Sequence, residues 1–164
     1  MTATFRFAQR ADLPRIVAIY NESIPAHQAT ADLVPITVAQ REAWFAAFDV
    51  THPLWVVEQA GQIIGWLGLE PFYGRAAYAK TAEVAIYLTA TVQHAHLGGQ
   101  LLDFAVQEAA KRGLTALVAY IFGHNQPSLA LFKSRGFVQW GFLPGVAELV
   151  GQRRDLVILG RQLG

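Results

Sequence analysis

The segment from Glu83 to Gly113 constrains this chain more than any other, because an apolar strand, a glycine-bearing turn and a long amphipathic helix follow one another without a break. The turn reads Gln93-His94-Ala95-His96-Leu97-Gly98-Gly99, with Ile86-Tyr87-Leu88 before it and Leu101-Leu102 after it. A strand that turns directly into a helix leaves free backbone N–H groups and the positive end of the helix dipole at the turn, which makes an anion site. The phosphates of a nucleotide-like ligand are the natural occupant. The helix is expected from about Gly98 to Arg112, with Leu101, Leu102, Ala105, Val106 and Ala109 facing inward and Asp103, Gln107 and Lys111 facing water. Gly113 ends it.

Around this unit the pattern alternates between helix and strand. Phe5-Arg6-Phe7 reads as a first strand, and Asp12 as the cap of a helix with Pro14 in its first turn. Leu13, Ile16, Val17 and Tyr20 share one face of that helix, which should end near Glu22 to Ser23. Ile24 to Pro35 has no period and reads as a long loop. Thr37 with Gln40 forms a capping box ahead of a second helix carrying Trp44, Phe45 and Phe48. Leu54–Glu58 and Gln62–Glu70 read as a hairpin around Ala60-Gly61, and Pro71–Lys80 as a loop before the strand Ala82–Thr89. After the long helix come a strand at Thr115–Ile121, a short helix at Pro127–Ser134, and closing strands at Gly136–Phe142 and Arg153–Leu159. Hairpins at both ends with one strand–helix–strand crossover between them predict a single α/β (α+β) domain with a mixed sheet.

Composition narrows the partners. A formal charge of +1 supplies no concentrated basic field, so nucleic acid is not expected. There are no cysteines, which removes disulfides and thiolate metal sites. The first residues lack the basic-then-apolar run of a signal peptide, and the longest apolar runs, such as Ile63–Leu69, are far short of a membrane span. A cytoplasmic protein that meets no membrane is the expectation.

The Gln93–Gly98 turn followed by Leu-Leu, on its strand–turn–helix unit, resembles the Gln-x-x-Gly-x-Gly acetyl-CoA loop of the GCN5-related N-acetyltransferases (GNAT). Downstream, Asn125-Gln-Pro-Ser128-Leu-Ala-Leu131-Phe132-Lys-Ser-Arg-Gly136-Phe137 is similar to a second segment of that superfamily, in the same order and at the same spacing. Ile19-Tyr20-Asn21-Glu22-Ser23-Ile24, Arg75-Ala-Ala-Tyr78 and Thr81-Ala-Glu83 resemble the phosphinothricin and methionine-sulfone acetyltransferase group more narrowly. The resemblance covers nearly the whole chain and weakens only in the final hairpin.

The resemblance implies a mixed, mostly antiparallel central sheet flanked by about four helices. It also implies an enzyme that uses acetyl-CoA to acetylate the amine of a small molecule, an amino acid or analogue of the phosphinothricin, methionine sulfone or sulfoximine type. Glu83 would be the general base, since an ammonium must lose a proton before it attacks. Burial among Tyr78, Tyr87 and other aromatics would raise its pKa; an ordinary strand-end carboxylate paired with Lys80 is the alternative. Ile86, Tyr87 and Leu88 would meet the pantetheine arm through backbone groups. Gln93, His94, Ala95, His96, Leu97, Gly98 and Gly99 would wrap the pyrophosphate. Asn125, Ser128 and Phe132 would line the cofactor site, with Asn125 also able to cap the helix after it. Arg75 and Tyr78 would hold a substrate carboxylate, an ion pair of Arg75 with Glu70 being the structural alternative. A homodimer is implied by resemblance alone, and no metal is expected.

Three departures from the family pattern stand out. His96 replaces the first glycine of the loop, at a cost of roughly 1 kcal/mol if its φ is positive. Phe132 stands where relatives carry Tyr or His, and it cannot protonate a departing thiolate. In Ala147–Asp155 the aromatic residues of the relatives are missing and only Gly151 and Asp155 are retained, so phosphinothricin itself does not follow as the substrate. A degenerate relative that binds acyl-CoA without efficient catalysis, or an acetyltransferase for protein N-termini, are the other readings.

Overall fold

In the computed structural model, which describes residues 2–92 and 96–164, the chain runs β1 (Thr4–Phe7), α1 (Leu13–Glu22), α2 (Glu42–Ala46), β2 (Leu54–Gln59), β3 (Gln62–Pro71), β4 (Thr81–Leu88), α3 (Leu97–Lys111), β5 (Ala116–Phe122), α4 (Gln126–Ser134), β6 (Val138–Leu149) and β7 (Gln152–Gln162). Among these residues seven strands form one sheet in the order β1-β2-β3-β4-β5-β7-β6. The β4–β5 pair is parallel and the other neighbouring pairs are antiparallel. Parallel neighbours need a long crossover, and α3 supplies it. The expected mixed, mostly antiparallel sheet with four helices is the fold observed.

Strand periodicity sorts the core into two layers. On β2, Leu54 and Val56 face the cluster built by Leu13, Ile16, Val17 and Tyr20 of α1, with Trp44 and Phe45 of α2 packed against it. Trp55 between them faces the opposite cluster, where Leu102, Ala105 and Ala109 of α3 and Leu129 and Phe132 of α4 lie. On β3 the same alternation sends Trp66 to the α1–α2 layer and Leu67 and Leu69 to the α3–α4 layer. A sheet buried on both faces accounts for the unbroken apolar run at Ile63–Leu69.

Two sequence expectations change at the level of local hydrogen bonding. Asp12 precedes α1, but its carboxylate does not cap that helix. It takes a two-pronged bond from the Arg6 guanidinium at 2.9 and 3.0 Å and the Gln9 backbone N–H at 2.7 Å. A charged fork is a stronger donor than a helix N–H, so Asp12 ties β1 to the helix start. The Thr37–Gln40 box forms in both directions, at 2.8 and 3.2 Å. The helix it opens begins as a 3₁₀ turn, Ala39–Arg41, before α2 proper.

The closing hairpin is longer than the sequence suggested. β6 runs on to Leu149 and β7 begins at Gln152, so the hairpin fills the gap between the expected strands Gly136–Phe142 and Arg153–Leu159. Pairing breaks between Leu143 and Ala147 and then resumes. The bulge keeps its backbone satisfied through β7 side chains, because Gly145 N–H donates to Asp155 at 2.8 Å and Arg153 Nε donates to the Gly145 carbonyl at 3.3 Å. β6 lies at the sheet edge, where a proline is tolerated. Gly160 on β7 lets the Trp140 ring of β6 lie across it, since a Cβ there would fall 1.9 Å from that ring. Among the described residues no helix is long and apolar enough to cross a membrane.

Arg6 holds the Asp12 carboxyl below the usual carboxylate range. A depressed folded-state pKa stabilises at neutral pH and stops doing so as pH falls through it. Asp12→Asn should therefore lose about 1–3 kcal/mol in urea unfolding at pH 7, and the gap from wild type should narrow below about pH 4.

Candidate active site

The β4–β5 ladder covers only three pairs, from Thr81–Ala116 to Glu83–Val118. On its other side β4 stays paired with β3 as far as Leu88. Past Glu83 the parallel strands part, and a cleft of about 270 Å³ opens between them. Its walls draw on both layers of the core: Val84, Ile86, Ala119 and Phe132 from the α3–α4 side, and Trp66, Ala85 and Tyr87 from the α1–α2 side. The cleft thus passes through the plane of the sheet. It is near the small end of the ~300–1,000 Å³ typical of ligand sites.

Glu83 stands at the point of divergence and lines the cleft. Directly opposite it on β3 is Glu70, also in the cleft wall. Opposed residues of an antiparallel pair hold their Cβ atoms roughly 4.5–5.5 Å apart, so two carboxylates share one face. Trp44 Nε1 donates to Glu70 at 3.0 Å, whereas Glu83 has no hydrogen-bond donor or cation partner among the described residues. Burial, with the Glu70 charge as a second cause, pushes the Glu83 carboxyl up to about 7. Glu70 is raised as well, chiefly by burial and against the pull of Trp44 and Arg41.

A strap crosses the cleft. Three consecutive carbonyls of the loop after α1 are latched to opposite sides of the gap. His27 O accepts from His124 Nε2 at 2.8 Å, Gln28 O from Asn125 Nδ2 at 3.2 Å, and Ala29 O from Tyr87 Oη at 3.1 Å. Gln28 and Ala29 line the cleft. The Tyr20 hydroxyl, bonded to Thr30 and Asp32, anchors the strap's far end.

The residues singled out in the sequence divide into several groups. Glu83, Ile86, Tyr87, Asn125, Ser128 and Phe132 all line the cleft. Leu88 is half-buried beside Leu97 in a satellite cluster. Asn125 caps α4 by accepting from Ser128 N–H at 3.3 Å, so the capping alternative holds whatever else it does. Phe132 is a core residue, edge-on to Phe137. His96 precedes α3 with φ of 59°, the left-handed conformation in which a glycine is unstrained. Leu97, Gly98 and Gly99 form the first turn of α3. A Cβ on Gly99 would lie 2.4 Å from Arg135 Nη2, so the loop's glycine leaves room for an α3–α4 contact whose guanidinium also meets Asp103 at 3.2 Å. Gln93, His94 and Ala95 lie outside the described residues. Arg75 and Tyr78 are exposed on the loop before β4 and do not line the cleft, and neither the Arg75–Glu70 nor the Lys80–Glu83 ion pair is present among the described residues. Glu70, Arg41, Trp66 and Tyr120 line the cleft without having been marked in the sequence; only the β3–β4 register would have exposed Glu70.

The family model for the acetyltransferase (GNAT) family matches residues 14–137. The chain belongs to that family. It is 46% identical over 161 residues to YwnH of Bacillus subtilis, provisionally named a phosphinothricin acetyltransferase, covering 98% of this chain and 99% of that protein. It is 32% identical to the L-methionine sulfoximine/L-methionine sulfone acetyltransferase of Pseudomonas paraeruginosa, covering 97% of this chain and 94% of that one. The crystal structure of a phosphinothricin acetyltransferase from Sinorhizobium meliloti in complex with acetyl-CoA superposes with a TM-score of 0.92 at 31% identity, covering 100% of this chain and 90% of that one. This GNAT protein is therefore an acetyl-CoA-dependent N-acetyltransferase, and no group of three or more metal-ligating side chains occurs among its described residues.

A carboxyl whose pKa is raised on folding binds more protons in the folded state, so its contribution falls as pH rises from the unfolded value toward 7. Glu83→Gln, which mimics the protonated form, should have a higher thermal midpoint than wild type at pH 8 and an indistinguishable one below about pH 4.

Proposed function

We propose that this acetyltransferase acts on the amine of a small amino acid or analogue, with Glu83 as the general base. The observation that carries the reading is a half-buried carboxylate, without a cationic partner, where β4 and β5 part. Near neutral pH such a group is divided between its two forms and can accept a proton as readily as it releases one. The names of relatives that act on methionine sulfone and sulfoximine support the substrate class.

The chain's own groups fit the donor. The edge of β4 past Glu83 has no ladder with β5 among the described residues, so Ile86 and Tyr87 offer backbone groups to the amide-rich pantetheine arm. Leu97, Gly98 and Gly99 open the 15-residue α3, whose N-terminal dipole suits the pyrophosphate. Gln93, His94, Ala95 and His96 would complete that cradle. Asn125 and Ser128 would meet the arm from the α4 side. Acetyl-CoA supplies the acetyl group as a thioester. Glu83 takes one proton from the acceptor's ammonium, and the strap from His27 to Ala29 restricts water above the cleft. The free amine attacks the thioester carbonyl and the C–S bond breaks; since Phe132 has no proton to give, the second proton shed by the nitrogen reaches the thiolate through water. Arg75 and Tyr78 stay in the proposal as outer acceptor ligands on the strength of the resemblance alone.

A homodimer is part of the same reading. Val138 and Trp140 on the edge strand β6 are 57% and 43% exposed, and past the register shift at Gln139–Gly141 the 48% exposed Phe142 lies on the other face, so a second copy added along this edge would cover apolar surface on both sides.

The test is the pH dependence of kcat/KM with L-methionine sulfone. Wild type should show an inflection near pH 7. Glu83→Gln should lose the inflection and roughly 10²–10³-fold in rate. A variant that keeps both would remove Glu83 from the chemistry.

A further inference from the structure

The α1–α2 wall of the cleft contains a closed circuit of rings with an arginine in it. The Arg41 guanidinium lies 4.5 Å from the centre of the Tyr20 ring and 4.7 Å from that of Trp44. Tyr20 meets Tyr87 at 5.0 Å, Tyr87 stacks on Trp66 at 4.8 Å, and Trp66 meets Trp44 edge-on at 5.2 Å. Arg41 is half-buried and lines the cleft together with Glu70 and Glu83.

Two features of the circuit are unexplained by packing. First, Arg41 has no carboxylate within 4.0 Å among the described residues. Arg112, the other arginine set over two aromatic rings, has Glu108 at 2.8 Å. Second, Trp66 is 2% exposed and its Nε1–H is buried without a hydrogen-bond partner among the described residues. A buried donor left unpaired costs about 1–3 kcal/mol. Both donors border Trp44, whose own N–H is spent on Glu70. Stacking on the rings fixes the plane of the guanidinium, which is the preparation a bidentate partner requires.

We propose that Arg41 holds the carboxylate of the acceptor while the amine of the same molecule is directed toward Glu83 and Glu70. This rests on the acetyltransferase reading and refines it. The cleft wall carries one guanidinium and two acidic groups, so it matches a zwitterion better than a simple amine. An acceptor bearing only an amine would leave the guanidinium fork without an oxygen to meet. The anchor is thus inside the cleft and separate from Arg75, which is exposed outside it.

The test compares L-methionine sulfone with 3-(methylsulfonyl)propan-1-amine, the same molecule without its carboxylate, at saturating acetyl-CoA. Arg41→Met should raise KM for the amino acid roughly 10- to 100-fold, well beyond any change in KM for the amine. Arg41→Lys, which keeps the charge and loses the fork, should fall between. Thermal unfolding of each variant separates these effects from loss of fold. An equal change for both acceptors, or none, would overturn the assignment while leaving the acetyltransferase reading intact. Should wild type acetylate neither compound, that substrate reading fails, and calorimetric titration of methionine sulfone into the coenzyme A-loaded protein still decides the anchor. Binding by wild type and not by Arg41→Met supports it; equal binding, or none by wild type, refutes it.

Discussion

Three residue pairs hold β4 to β5, and the parting of the strands beyond Glu83–Val118 sets the position of every other part of the site. A parallel ladder continued to Leu88 would fill the cleft with backbone hydrogen bonds and leave Glu83 an ordinary mid-strand acid. The gap is sustained from outside. The β3–β4 ladder keeps β4 extended to Leu88 on one side, and β7 keeps β5 extended to Phe122 on the other. Each strand is secured along its far edge, so their near edges remain apart and available.

The electrostatics follow from that geometry. Glu83 and Glu70 face each other on the α1–α2 side of the sheet, where Trp44, Trp66, Tyr20 and Tyr87 exclude water. Burial and mutual repulsion both favour a shared proton, and the Trp44 N–H directs the remaining charge toward Glu70. Glu83 is thereby left as the member of the pair without a hydrogen-bond donor among the described residues. The strap from His27 to Ala29 adds enclosure, with its carbonyls tied to Tyr87 on β4 and to His124 and Asn125 on the β5–α4 side. Residues on both banks of the gap are thus bridged by one loop.

Much of this was legible in the sequence because it is local. The amphipathic period of α3, the Thr37–Gln40 box and the strand–turn–helix order each depend on residues a few positions apart. Glu83 was legible through its place in a motif. Glu70 was not, because its pairing with Glu83 depends on a register set across the 72–80 loop, and loop length does not fix register. Arg41 was hidden by a short helix entered through a 3₁₀ turn, with too few residues to define a face. The strap read only as a loop without period, since its bonds use carbonyls that every residue possesses. In the closing hairpin, the Asp155 and Arg153 side chains that carry β6 past its bulge come from the partner strand, so no local pattern announced its length.

A crystal structure of the protein with coenzyme A and L-methionine sulfone is the most direct test of whether this gap is the catalytic site. The pantetheine arm should run between Ile86 on β4 and Ala119 on β5, with the acceptor nitrogen within hydrogen-bond reach of the Glu83 carboxylate, directly or through one water. Coenzyme A bound away from the β4–β5 gap, or an acceptor nitrogen out of reach of Glu83, would contradict it.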